Sequence, residues 1–119
     1  MEEKTDLNER LLEFATRIVR LVEALPKTLV GRRIGDQLLR SGTSVGANYE
    51  EAQAAESKDD FTPKLQIALK EIREANYWLR LLSRTGTVPI ARLTSIQDES
   101  GQLLAMLSRA VAKTKGKSK

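Results

Sequence analysis

Apolar side chains recur along most of this chain at alternating spacings of three and four, which places them on one face of a helix. Leu7, Leu11, Phe14, Ile18, Leu21 and Leu25 form the first stripe. They predict a helix from about Leu7 to Leu25, with Asp6 as N-cap, Glu9 as its capping-box partner and Pro26 as its stop. Ile34, Leu38, Val45, Ala52 and Ala55 set a second helix, capped by Thr28 and running to about Ser57. Gly42 and Gly46 lie inside it, each costing up to about 1 kcal/mol against alanine. Local rules alone allow a break at SGTSVG, but the period stays in phase across it. We therefore read one long helix, packed closely against a neighbour at the two glycines. A third helix carries Phe61, Leu65, Leu69, Ile72, Ala75, Leu79 and Leu82. Asp59 or Asp60 caps it, Pro63 fits its first turn, and Gly86 suits the left-handed position after its end. The fourth opens with Thr87 and Pro89 and turns Ile90, Leu93, Ile96, Leu103, Leu107 and Ala110 inward.

Short connections between long helices imply antiparallel neighbours. The predicted fold is therefore all-α, an antiparallel up-down-up-down four-helix bundle. It spans residues 1–112, with residues 113–119 as a disordered basic tail.

The chain has 119 residues, enough for one domain, and contains no cysteine and no histidine. That removes disulfides, thiolate nucleophiles, imidazole bases and Cys/His zinc sites. It also removes di-iron bundles, which need Glu-x-x-His pairs. No enzymatic activity, cofactor, metal or small-molecule substrate is expected. No apolar run approaches the ~20 residues that span a bilayer. The N-terminal MEEKTDLNE lacks the basic and apolar stretches of a secretory signal, so a cytoplasmic location is expected.

The net charge of +4 is unevenly placed: residues 1–107 hold 15 Lys and Arg against 16 Asp and Glu. The excess sits in Arg109, Lys113, Lys115, Lys117 and Lys119, in a final segment without an acid. Such an end is either a solubilising tail or an electrostatic arm for nucleic acid.

Ser41, Ser44, Asn48 and Glu51 form a polar seam down the second helix, and Glu71, Glu74 and Trp78 a matching stripe on the third. A connection centred near residue 59 sets Ser44 level with Glu74, Asn48 with Lys70 and Arg40 with Trp78. Arg40 then reaches Glu74 or lies on the indole. Such a seam fixes register or assembly. The competing reading, a pocket or a catalytic carboxylate pair, needs a cleft that a packed bundle of this size lacks. Tyr77 and Trp78 could stack bases, but the five aromatics are scattered, which favours packing. Tyr49, Ile67 and Val88 fall outside the main stripes and suggest a second apolar face, hence self-association.

The stretch LPKTLVGRRIGDQLLRSGTSVGANYEEAQAAESKDDF, followed by KLQIALKEIREANYWLRLL, closely resembles one family. Its members are four-helix-bundle proteins encoded in intervening sequences of bacterial large-subunit ribosomal RNA genes. Asp36–Gln37, Arg40–Ser41, Ala47–Asn48, Glu51, Lys70–Glu71, Glu74 and Tyr77–Trp78–Leu79 carry the resemblance. Ala52 departs from it, since many members have glycine there. The resemblance implies a left-handed bundle assembling into a homopentameric ring, without catalysis. A branch related in fold is the accessory variability protein of diversity-generating retroelements, a pentamer that binds reverse transcriptase and nucleic acid. This chain resembles that branch only in fold and in WLRLL. The expected function is a non-enzymatic oligomeric adaptor that docks RNA, DNA or a nucleoprotein without sequence specificity. The alternative is a protein–protein interaction scaffold that never touches nucleic acid.

Overall fold

The computed structural model describes residues 2–116, with side chains from Leu7 onward. Four helices follow one another: α1 (Glu2–Glu23), α2 (Leu29–Gln53), α3 (Lys58–Thr85) and α4 (Ile90–Gly116). Each packs on its neighbours in chain order, and α4 closes the bundle against α1 through its lightest contact. The body measures 47 × 25 × 22 Å.

One core runs its length. Leu11, Phe14 and Ile18 of α1 meet Leu38 and Val45 of α2, Leu65, Ile72, Leu79 and Leu82 of α3, and Leu93, Leu103 and Leu107 of α4, all buried. Ala68 and Ala75, also buried, let neighbouring backbones approach. α2 is continuous through Gly42 and Gly46. A β-carbon on Gly46 would lie 3.3 Å from Leu11 Cβ, and one on Gly35 3.3 Å from Val22 Cγ1 and from Leu25 Cδ1. The glycines are the surface against which α1 lies.

Helix ends follow local chemistry, with five corrections to the elements the sequence predicts. α1 already includes Asp6, so Asp6 with Glu9 is not its start. Thr28 caps α2, its hydroxyl accepting from the Gly31 amide at 3.0 Å, but the helix stops at Gln53, before the expected Ser57. Ser57 instead caps α3, accepting from the Asp60 amide, which places Asp59 and Asp60 in the first turn. Gly86 ends α3 at φ 71°, in the left-handed region that a β-carbon disfavours. Ile90, expected inward, is 65% exposed, and Val88 takes the core position just ahead of α4. Finally, α4 runs through Gly116, so Lys113 and Lys115 stand on its last turn rather than in a disordered tail. Lys117 and Lys119 lie outside the described residues.

Candidate functional site

The seam between α2 and α3 resolves into two kinds of bond. The α2 polar groups mostly satisfy their own helix. Ser41 Oγ donates to the Gln37 carbonyl at 2.8 Å, Ser44 Oγ to the Arg40 carbonyl at 2.6 Å, and Asn48 Nδ2 to the Ser44 carbonyl at 2.8 Å. Ser41 is buried, and Glu51 at the far end is exposed. These residues thus line α2 without bridging to α3 through those bonds.

The cross-helix link is Arg40. Its guanidinium donates to Glu74 through Nη2 and to Glu71 through Nη1 at 3.2 Å. Glu74 Oε2 also accepts from Trp78 Nε1 at 3.1 Å, so one carboxylate joins a cation and the indole. The hydrogen bond and charge of Glu74 raise the Arg40 pKa. The same hydrogen bond, then that of Trp78, holds the Glu74 carboxyl below the ordinary glutamate range. The arrangement is a half-exposed clamp, because the Arg40 side chain keeps half its surface in water. Both carboxylates are engaged by the same guanidinium, which suits fixing of register more than proton transfer. Trp78 packs against the core, and the ring of Tyr77 meets its edge with centroids 5.1 Å apart and planes at 76°.

A second clamp had no signal in the sequence. Arg10 of α1 donates through Nε and Nη2 to Glu99 of α4 at 3.0 and 2.9 Å, and through Nη2 to Gln102 at 3.1 Å. Arg17 donates to Ser95 at 2.8 Å along the same seam. The partners lie 78–92 positions apart in sequence, and no short connection sets the α1–α4 register.

At the end of α4, Arg109, Lys113 and Lys115 are exposed, and the lysines lie where the helix dipole favours cations. Of the spare apolar residues, Val88 is buried and Tyr49 packs on the core, where burial raises its phenol pKa, while Ile67 stays exposed. The exposed apolar side chains instead include Leu12 and Val19 of α1 and Leu39 of α2. Thr16 and Thr43 donate their hydroxyls to the Leu12 and Leu39 carbonyls at 2.9 and 2.7 Å, so both satisfy their own helix. Among the described residues, no helix is long and apolar enough to cross a membrane.

The model of the family described as 23S rRNA-intervening sequence protein matches residues 3–109. A crystal structure of a protein of unknown function from the S23 ribosomal protein family, from Bacteroides thetaiotaomicron VPI-5482, is similar to this chain. It is 41% identical, covers 88% of this chain and 97% of its own, and superposes with a TM-score of 0.77. No curated protein matches.

Proposed function

The chain belongs to the 23S rRNA-intervening sequence protein family, and from that premise we propose that it is a non-enzymatic, oligomeric helical adaptor that binds nucleic acid or a nucleoprotein without reading sequence. Charge segregation carries this reading: residues 108–119 contain Arg109 and four lysines and no acidic residue, after a stretch of nearly balanced charge. Phosphate contacts need cations but no base-edge chemistry, so such an end binds nucleic acid generally. The adaptor works in the cytoplasm, and its bundle runs antiparallel. Along α2, Gly35, Gly42 and Gly46 face successively earlier α1 residues, Val22, Ile18 and Leu11, which supports that direction. The exposed Leu12, Val19 and Leu39 support assembly of several copies, and the family resemblance supports a homopentameric ring. Five cationic ends on one ring raise apparent affinity through effective concentration. The clamp of Arg40, Glu71, Glu74 and Trp78, with Ser41, Ser44, Asn48 and Glu51 along α2, holds register.

The test is fluorescence anisotropy of labelled RNA and DNA at several salt concentrations, using the native chain and one with Lys113, Lys115, Lys117 and Lys119 changed to glutamine. The native chain should bind duplex DNA with a log–log salt slope of about −3 to −4, from roughly −0.9 per neutralised phosphate. The glutamine variant should bind far more weakly. Absence of binding by the native chain at low salt rejects this reading and favours a protein–protein scaffold.

A further inference from the structure

The near-neutral body hides a concentrated basic face. Lys70, Arg73, Tyr77, Arg80 and Arg84 recur at three- and four-residue steps along α3, and all five are exposed. They span fourteen residue steps, about 21 Å at 1.5 Å per residue. The nearby acids of α3, Glu71 and Glu74, are taken up by Arg40, and Glu74 also feels the charge of Lys70 at one end of this face. None of the four cations on this face forms a salt bridge among the described residues.

Tyr77 stands in the middle of that face. Tyr77 is 52% exposed, and its ring makes an edge contact with Trp78, which is itself held by Glu74. Beside it lies a shallow depression of about 200 Å³ lined by Tyr77, Arg80, Leu81 and Arg84. An aromatic platform set among cations is the combination that single-stranded binders use: bases stack on the ring while the cations follow the backbone. A second copy of this face is a poor occupant, because Arg73, Arg80 and Arg84, none in a salt bridge, would meet three more positive charges.

We infer that the outer face of α3 is a single-stranded nucleic-acid site, in which a base stacks on Tyr77 and Arg80 and Arg84 hold the flanking phosphates. This rests on the nucleic-acid reading above, and it moves a specific contact from the end of α4 to the bundle body. Stacking and charge leave different signatures. Loss of a stacking partner lowers affinity at every salt concentration and leaves the salt slope unchanged. Loss of a phosphate contact makes the slope shallower, by roughly 0.7 per contact on a single strand.

The experiment is an anisotropy titration of fluorescein-labelled oligo-dT and oligo-rU against the full chain, at several salt concentrations. Tyr77→Ala should weaken binding roughly tenfold, within the range for one stacked base, with the slope preserved, and Tyr77→Phe should bind as the native chain does. Arg80→Gln with Arg84→Gln should make the slope shallower by about 1.4, and Arg80→Lys with Arg84→Lys should restore it. Circular dichroism should show unchanged helix in every variant, since these side chains are exposed. If Tyr77→Ala and the glutamine pair bind like the native chain while the lysine-to-glutamine variant of the end segment loses binding, the α3 site is overturned and the broader reading stands. If the native chain binds neither oligonucleotide at low salt, both fall.

Discussion

Gly42 of α2 and Ile18 of α1 lie so close that a β-carbon on Gly42 would come 2.8 Å from Ile18 Cγ1 and 2.9 Å from its Cγ2. Ile18 is β-branched and fully buried, so it has little freedom to yield. Gly42→Ala gains about 1 kcal/mol of helix propensity but overpacks the contact, at about 1–3 kcal/mol. The expected net effect is destabilisation by up to about 2 kcal/mol. Gly101 provides the contrast: it is exposed within α4, and nothing lies within 4 Å of a β-carbon placed there. Gly101→Ala should stabilise by up to about 1 kcal/mol. Urea unfolding of both variants checks the pair, and equal effects of the same sign would show that α1 and α2 are not in close contact at Gly42.

That contact was legible in the sequence, as were the four stripes and the continuity of α2, because the apolar period survives both glycines. The Arg40–Glu74 pairing was legible too, since a short connection fixes the α2–α3 register. What failed was local. Ser57, Asp59 and Asp60 stand close together at the start of α3, and each is a good cap or a good first-turn acid, so the period cannot say which one caps. Ile90 continues the helical stripe of α4 and Val88 lies outside it, but the helix begins only at Ile90, and the connection ahead of it turns Val88 into the core, which a helical period cannot foresee. The basic face of α3 escaped notice because its cations are spread over fifteen positions among core residues, and the balanced total charge of the body concealed them.

Cap chemistry gives the second prediction. Thr28→Ala should destabilise by about 0.5–2 kcal/mol, the usual cost of losing an N-cap side chain, because its hydroxyl satisfies the Gly31 amide. Ser57→Ala should cost a similar amount, whereas Asp59→Ala, which removes only a favourable dipole interaction, should cost at most about 1 kcal/mol. Denaturant midpoints of the three variants give the order. Asp59→Ala as the most damaging change would move the start of α3 downstream.

Assembly gives the third. Val19 follows Ile18, and Leu39 lies one turn before Gly42, so both flank the α1–α2 contact on its solvent side. Glutamate at either position meets water in the monomer but would be desolvated in an apolar interface. Sedimentation equilibrium of the native chain should give about five times the 13.3 kDa chain mass. Val19→Glu with Leu39→Glu should shift the mass toward one chain while leaving helicity intact. A native chain that already sediments as a monomer at micromolar concentration rejects the assembly.

Glu74 supplies a pH signature. Its carboxyl titrates below the ordinary range when folded, first because Arg40 hydrogen-bonds to it and then because Trp78 does. A carboxyl with a depressed folded pKa adds stability that is fully present above its unfolded value, about 4.3 for glutamate. That stability is lost as the pH falls through the lower folded value. Glu74→Gln removes this contribution at neutral pH but loses progressively less against the native chain below about pH 4.3. The other carboxyls titrate in both proteins and largely cancel in the difference. Trp78, the only tryptophan, reports unfolding by fluorescence and donates to Glu74 itself. The difference in urea midpoint between native and Glu74→Gln chains should hold steady from pH 7 to 5 and shrink below that. Arg40→Gln should remove most of the same pH dependence, since it takes away the larger cause of the shift. A midpoint difference that stays constant down to pH 3 would show that Arg40 and Glu74 are not coupled in solution.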